Sequence, residues 1–494
     1  MAGSSREDPD LPWYHIIMVY FSYLVLLSAS YIQEWFGKKS FTTQKGYAPL
    51  FRDWDSFWTR HCYRRISDCW NRPVDSIPGP RIDVKERETS DFGETWKDTE
   101  TVRHCLNLGS YNYLGFSDSA GTCLESVQQA LREYGVSTAS TRADLGTTSL
   151  HRQAELKTAK FLNKEDCIIF GMGYATNAAT IPCLANKGCL IISDSLNHAS
   201  LVNGCRSSGA KIKVFEHNDV EELEKVVRNS IITGQPRTHR PWKKILIIVE
   251  GIYSMEGEIA KLREIVAIKK KYNCYLWVDE AHSIGAIGRT GRGVTEHCGV
   301  DTGDVDVLMG TYTKSFASVG GYITGPKELI NHLRQSSFAT LYSTSMSPGC
   351  CQQILTSMGI IMGEDGTDQG KQKIISLREN SNFFRRGLID RGFQVYGDKD
   401  SPVIPLMLYY PSKIAAFSRE CLKRNIACVV VGFPATPLLM SRARFCISAG
   451  HTKGDLEWAL NEIDEVGKLL LLKYGNDKSQ KDEDEKVKNV EDTQ

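Results

Sequence analysis

Two short segments carry residues that could do chemistry together. In Val278-Asp279-Glu280-Ala281-His282-Ser283 an acid stands at the end of the apolar run Tyr275 to Val278. Alone, Asp279 reads as a cap for the helix that follows. Taken literally, Asp-Glu-Ala-His is also the nucleotide-hydrolysis motif of one helicase class, which needs a Gly-x-x-x-x-Gly-Lys-Ser/Thr loop upstream. No such loop exists: the stretch from Gly366 to Lys371 has the wrong spacing, runs into Gln372 and lies downstream. The second segment is Gly310-Thr311-Tyr312-Thr313-Lys314-Ser315-Phe316, between another apolar run and Gly320-Gly321. A lone lysine in such a turn is usually on the surface. Paired with an acid 35 residues earlier, at the end of a different strand, it suggests a pyridoxal phosphate site. That cofactor takes a Schiff-base lysine and an acidic partner for its pyridinium nitrogen. The acid keeps the ring nitrogen protonated, so the ring can accept electrons from a carbanion.

Two further segments fit around that pair. Phe170-Gly171-Met172-Gly173-Tyr174-Ala175-Thr176-Asn177 puts glycines between a strand and a helix. Free backbone N–H groups at such a place can cradle a phosphate. As a dinucleotide fingerprint the segment fails, because Thr176 replaces the third glycine. In Asp194-Ser195-Leu196-Asn197-His198-Ala199-Ser200 a histidine follows a strand. Such a residue is more often structural; its ring could also stack on a flat cofactor.

These segments require strands that end side by side. Cys167 to Phe170, Leu190 to Ile192, Ile212 to Phe215, Ile245 to Val249, Tyr275 to Val278 and Val305 to Met309 all read as buried strands. Helical patterns intervene, as at Val220 to Ser230 and Ile259 to Lys271; the lysines ending the latter suit a helix C-terminus. The alternation predicts an α/β fold with a mostly parallel sheet covered on both faces. Ligands bind beyond the carboxyl ends of such strands. Residues 366 to 398 read as helical and lead into a smaller unit, with strands at Pro402 to Tyr410, Cys428 to Val431 and Arg444 to Ser448. The expected division is an N-terminal segment 1–40 with an anchor at about 11–33, a neck and arm 41–105, a large cofactor-binding domain 106–365, a small C-terminal domain 366–475 and a disordered charged tail 476–494. In the neck, Trp54, Phe57, Trp58 and Trp70 suggest an amphipathic surface. Pro78-Gly79-Pro80 is turn chemistry, and Asp83 to Glu100 suggests a surface strand pair or loop.

Bulk properties narrow the class. A chain of 494 residues suits two cores rather than one. A net charge of +1 offers no basic field for nucleic acid. The 15 cysteines are scattered without Cys-x-x-Cys pairs, which fits a reducing compartment and supplies no metal-ligand spacing. From Leu11 to Gln33 there is no acidic or strongly basic residue. A bilayer core needs about 20 mainly apolar helical residues, and Trp13, Tyr14 and Trp35 stand at interfacial positions. A cleaved signal would want a basic leader and a shorter core; Glu7, Asp8 and Asp10 face only Arg6. The alternative is a buried or interface-lying helix, since Ser22, Ser28, Ser30 and several tyrosines lower the hydropathy. Lys38, Lys39, Lys45 and Arg52 follow, so the positive-inside bias puts the remainder in the cytosol.

Taken together, the segments resemble the alpha-oxoamine synthase family of fold-type I pyridoxal phosphate enzymes, over residues 105 to 465. The carriers are Tyr111-Asn112-Tyr113-Leu114-Gly115, Gly171 to Asn177, Asn197-His198-Ala199-Ser200, Glu250-Gly251-Ile252-Tyr253-Ser254-Met255-Glu256-Gly257, Asp279 to Ser283 and Thr311 to Lys314. Within the family, Gln235 to Lys244 and Phe433-Pro434-Ala435-Thr436-Pro437 are similar to the lysine-bearing subunits of the eukaryotic serine palmitoyltransferase branch, closest to plant forms. The resemblance implies pyridoxal 5'-phosphate, held by Lys314, with Asp279 on its pyridine nitrogen and His282 on its ring hydroxyl. It implies that His198 stacks on the ring and helps seat the substrate carboxylate. Thr311, Ser254 and the backbone of Gly171, Met172, Gly173 and Tyr174 would hold the phosphate and ring substituents. Arg444 matches the family's carboxylate-binding arginine, and Asn112 and Tyr113 would join it on the substrate side.

The implied reaction is decarboxylative condensation of L-serine with palmitoyl-CoA or another long-chain acyl-CoA, giving 3-ketodihydrosphingosine for sphingolipid synthesis. The implied setting is a single-pass anchor in the endoplasmic reticulum membrane, a cytosolic catalytic part and a heterodimer with a homologous lysine-less subunit. The alternatives are a family reaction on another amino acid or acyl-CoA, or a weakened or regulatory paralogue. Three positions depart from the family pattern: Ala317 stands where a glycine normally follows Ser-Phe, Gln153-Ala154-Glu155 replaces an acidic–Leu–Glu run, and Gly432 lies where bacterial relatives place an arginine.

Overall fold

The computed structural model describes residues 11–36, 46–48, 57–91, 93 and 95–475. Trp54, the basic flank at Lys38, Lys39, Lys45 and Arg52, and the charged tail from Asn476 lie outside them.

The chain begins with α1 (Trp13–Phe36), the helix expected as an anchor. At 1.5 Å per residue it is about 36 Å long, against about 30 Å for a bilayer core. It is neither free nor buried throughout. Val19 and Tyr23, one turn apart, pack on Met407, Tyr409 and Met440, and His15 Nδ1 pairs with Tyr410 Oη at 2.7 Å. The short helical turns that follow hold the same side: Phe57 stacks on Tyr31 and Trp58 on Tyr23. Elsewhere on the helix Trp13, Ile17, Phe21, Leu24, Val25 and Ile32 are at least half exposed.

After the Pro78-Gly79-Pro80 turn, where the sequence suggests a surface strand pair or loop, β1 (Arg81–Glu88) and β2 (Lys97–Asn107) form an antiparallel pair. The expected boundary at 105/106 falls inside β2. Its solvated first half is charged, but Cys105, Leu106 and Asn107 run on into the interior, so the hydrogen-bonded strand bridges the change in composition.

Seven strands form the central sheet: β3 (Asp166–Phe170), β4 (Leu190–Asp194), β5 (Lys211–Phe215), β6 (Ile245–Glu250), β7 (Tyr275–Asp279), β8 (Val307–Thr311) and β9 (Gly321–Gly325), in the order β3-β9-β8-β7-β6-β4-β5. β5, β4, β6, β7 and β8 run parallel. β9 is antiparallel to both β8 and β3. Side chains of adjacent residues point to opposite faces of a strand. Accordingly Ile247, Val249, Leu276 and Val278 join one core with the helices Val220–Thr233 and Leu262–Tyr272. Leu246, Ile248 and Trp277 join another with the helices Gly173–Leu184 and Lys327–Ser336. Both faces are covered, which is why the strands read as continuous apolar runs. The lysines closing Leu262–Tyr272 pair with Asp306, Asp304 and Glu224 at 3.0, 2.6 and 2.6 Å.

β9 escaped the sequence reading. It is five residues long with glycine at each end, and it exists because Tyr322 and Ile323 pair back on Gly310 and Met309. A Cβ on Gly310 would stand 2.3 Å from the Tyr322 hydroxyl, so only glycine lets these strands approach.

The C-terminal strands are β10 (Val403–Met407), β11 (Ile426–Ala427), β12 (Val429–Val431) and β13 (Arg442–Cys446). β10, β13 and β12 make an antiparallel sheet, while β11 joins β2 in parallel. The helices Gln369–Asp390, Pro411–Lys423 and Lys453–Leu470 pack with them in one apolar core.

Candidate active site

The carboxyl ends of β6, β7 and β8, with Arg444 of β13, surround a cavity of about 400 Å³. β7 delivers Asp279 to its wall. One carboxylate oxygen accepts from the Ala281 N–H at 2.9 Å, the other from the Asn177 amide at 2.7 Å. Asn177 also donates to Ser200 Oγ at 3.0 Å, so the helices Gly173–Leu184 and Ala199–Ser207 both aim the acid. In register beside Asp279 on the neighbouring strand stands Glu250. Burial first, then the Asp279 charge, pushes the Glu250 carboxyl well above the usual carboxylate range.

Lys314 lies in the loop between β8 and β9. Its Nζ is 5.4 Å from the centroid of the Tyr111 ring and has no hydrogen-bond or ion-pair partner among the described residues. Burial pushes the amine down to about 8, against the opposing pull of Asp279 and Glu250. A lysine so placed is partly unprotonated near neutral pH, which a nucleophile or base requires.

His198 caps the helix Ala199–Ser207, with Nδ1 accepting from the Ser200 N–H and paired with Ser200 Oγ. Its own N–H donates to Glu250. Burial lowers its basicity. His282 is driven further down by burial, so its ring is neutral. Its Nδ1 meets the Tyr113 hydroxyl at 2.8 Å. With Tyr113 donating, Nε2 carries the proton and serves as a donor.

The helix Gly173–Leu184 starts at the cavity edge, and its N-cap residue Met172 makes no side-chain cap hydrogen bond. A Cβ on Gly173 would lie 2.9 Å from Thr311 Oγ1. Thr311 in turn pairs with Thr313 at 2.8 Å and donates to the Gly320 carbonyl. On the opposite wall Arg444 is buried, its guanidinium 4.8 Å from the Tyr111 ring centroid, and its Nε has no hydrogen-bond partner among the described residues.

The structure thus brings together Lys314, Asp279, His282, His198, Ser254, Thr311, Met172, Gly173, Tyr174 and Arg444 around one space. Three expected residues do not line it. Gly171 precedes the helix, beside the backbone of Met346. Asn112 donates to the Pro78 carbonyl at 3.0 Å, and Tyr113 stands fully buried behind His282. Residues that sequence reasoning passed over also line it, among them Tyr111, Asn177, Glu250 and Met255. Glu250 carried the same signal as Asp279: an acid closing an apolar run. Asn177 carried none, because only the packing of its helix turns the amide toward Asp279.

The departures find physical accounts. Ala317 has φ of 50°, the left-handed region that favours glycine, at a cost of about 1–2 kcal/mol. Glu155 remains at its position and gathers Arg142, Arg152 and Arg334 at 2.9–3.2 Å. A Cβ on Gly432 would lie 2.6 Å from Ile414, so a larger residue there needs repacking.

A free amine, an oriented acid, an open helix N-terminus and a buried, incompletely bonded arginine are a set that pyridoxal phosphate with a bound amino acid can satisfy. Comparison with known proteins agrees. Residues 103–463 match the family model "Aminotransferase class I and II". The chain is 54% identical to serine palmitoyltransferase 2 of Dictyostelium discoideum over 94% of this chain and 96% of that protein. It is equally similar, with the same coverage, to long chain base biosynthesis protein 2a of Arabidopsis thaliana. A high-resolution structure of serine palmitoyltransferase carrying pyridoxal phosphate superposes with a TM-score of 0.73 at 28% identity, covering 85% of this chain and all of that one. The chain belongs to the class I and II aminotransferase family and, within it, to the pyridoxal-phosphate-dependent serine palmitoyltransferases.

Proposed function

We propose that this chain is the lysine-bearing catalytic subunit that condenses L-serine with a long-chain acyl-CoA, palmitoyl-CoA foremost, releasing coenzyme A and carbon dioxide and leaving 3-ketodihydrosphingosine. The observation that carries this reading is the shared cavity of the Lys314 amine, the Asp279 carboxylate and the Arg444 guanidinium. Bound pyridoxal phosphate supplies an electron sink for the serine α-carbon. Asp279, fixed by Asn177 and the Ala281 amide, would hold the proton on the ring nitrogen. His282, neutral and backed by Tyr113, would donate to the ring hydroxyl. The amides of Gly173 and Tyr174, with Thr311 and Ser254, would take the phosphate and ring edge, and Met172 would border them. His198 would cover the ring face. Arg444 would bind the serine carboxylate, using the Nε left without a partner. Lys314 would then remove the α-proton to its Nζ, a task suited to an amine near pH 8.

The setting belongs to the same proposal. α1 would anchor the chain in the endoplasmic reticulum membrane with the catalytic part in the cytosol, and a homologous subunit without the lysine would complete a heterodimer. We also read residues 106–365 as the cofactor-binding unit and 366–475 as the unit that contributes Arg444. The test is co-expression with a lysine-less homologue and product analysis with serine and glycine in parallel. Borohydride should tag the peptide carrying Lys314, and Lys314→Ala should form no product. Wild-type turnover in that variant would end the proposal, and preference for glycine would move it to another reaction of the family.

A further inference from the structure

Behind the cavity, outside its lining, lies a buried ionic unit. His217 follows β5, its side chain 5% exposed. Its Nδ1 pairs with Asp194 at 2.9 Å and its Nε2 stands 3.3 Å from Glu258. The second contact is an ion pair with poor N–H alignment. Its ring meets the Tyr253 ring edge-on at 4.2 Å.

The two acids belong to the two loops that border the cavity. Asp194 ends β4 and opens the turn that carries His198; it also accepts from the Leu196 and Asn218 amides at 2.8 and 3.0 Å. Glu258 closes the turn that carries Ser254 and Met255, where the Tyr253 N–H donates to the Glu258 carbonyl at 3.0 Å. Asn218, in the left-handed region, ties the same place to the Ile259 carbonyl and the Lys261 amide at 3.1 Å each. Asn218 thus joins the two loops by hydrogen bonds, and His217 joins them by pairing one ring nitrogen with each carboxylate. The imidazole is the side chain that meets both acids from between them.

We infer that His217 is a positioning residue, a cationic strut between Asp194 and Glu258 that sets the spacing of His198 from Ser254 across the cofactor site. Burial alone would strip the ring of its proton, but the bonds to Asp194 and Glu258 outweigh it and hold His217 up to about 10. The strut is thus charged throughout the physiological range. It would need no substrate and take no part in proton transfer, because it touches no cavity-lining polar atom.

This inference rests on the placement of His198 and Ser254 at the cofactor proposed above. The test uses the purified full-length complex loaded with pyridoxal phosphate. His217→Asn removes the arm to Glu258. Glu258→Gln removes the charge of the same arm at a residue whose side chain is 33% exposed. Cofactor affinity, the visible circular dichroism of the bound cofactor and the melting temperature of the apoprotein are read for each variant and for the double. Each single variant is expected to weaken cofactor affinity about threefold to tenfold and diminish the dichroic band, and the double to be no worse than the stronger single, since both cut one connection. The apoprotein should melt within about 3 °C of the parent for Glu258→Gln. Unchanged affinity and dichroism in Glu258→Gln, or additive losses in the double, would overturn the strut. His198→Ala runs alongside: if it alters the dichroic band while Glu258→Gln does not, only the strut fails. If His198→Ala also leaves the band untouched, the site reading falls and the strut with it.

Discussion

Glu250 and Asp279 sit directly opposite each other on neighbouring parallel strands, two buried carboxyl groups at the floor of one cavity. Like charges this close do not both ionise without cost. Asp279 has the better donors, an amide side chain and a backbone N–H, whereas Glu250 has the His198 backbone and little else. Burial and the Asp279 charge therefore hold the Glu250 carboxyl well above the usual carboxylate range. A carboxyl whose folded pKa is raised leaves the native state holding more protons than the unfolded chain. The apoprotein should lose stability as pH climbs from the ordinary glutamate range upward.

Glu250→Gln mimics the protonated acid, and should remove that loss. Chemical denaturation of the apoprotein at pH 5 and pH 8 should show a smaller difference for Glu250→Gln than for the parent, and turnover at pH 7 should stay within about threefold.

Lys314 titrates in the opposite sense. Its folded pKa of about 8 lies below the ordinary lysine value, so the strain is full below that pH and fades between it and the ordinary lysine range. Loading of the apoprotein with pyridoxal phosphate, followed by absorbance, should quicken with pH and reach half its rise near that value. Lys314→Met should raise the melting temperature of the apoprotein at pH 7, and less so once the medium passes the ordinary lysine range.

Glu155 is fully buried among Arg142, Arg152 and Arg334. Glu155→Ala would leave the largely buried Arg142 guanidinium without its counter-charge, while Arg152 and Arg334 keep Asp166. Loss of one partner from such a cluster costs about 3–5 kcal/mol, and denaturant titration should show it. Activity measured well below the melting temperature should fall far less than stability does.

The outward face of α1 gives a separate prediction. Leu24 and Val25 are 60% and 51% exposed, and a lysine at the middle of a spanning helix costs about 2.5–3.5 kcal/mol. The double variant Leu24→Lys, Val25→Lys should move from the membrane pellet to the soluble fraction. Turnover with a short, soluble acyl-CoA should persist in it, because neither side chain lines the catalytic cavity.

The parallel strands were legible because each is an uninterrupted apolar run closed by a polar residue, a pattern forced by burial on both faces. Lys314, Asp279 and both histidines could be found because they stand where those runs stop. β9 was not legible: its identity comes from its partners, not from its five residues. Glu250 was legible by the rule that found Asp279, and was absorbed instead into a motif. Asn112 and Tyr113 were assigned to the substrate side through the motif they share with Tyr111. The backbone there turns so that Tyr111 faces the cavity while its neighbours brace the Pro78 turn and His282. No periodicity in so short a loop distinguishes the three.

Arg444 reaches the cavity from β13, on a sheet that shares no strand with the one bearing Lys314. During synthesis the amine and the acid leave the ribosome long before the guanidinium. A nascent chain can thus assemble the place for a cofactor while one wall is still missing, and competence toward an amino acid must wait for the last strand to dock.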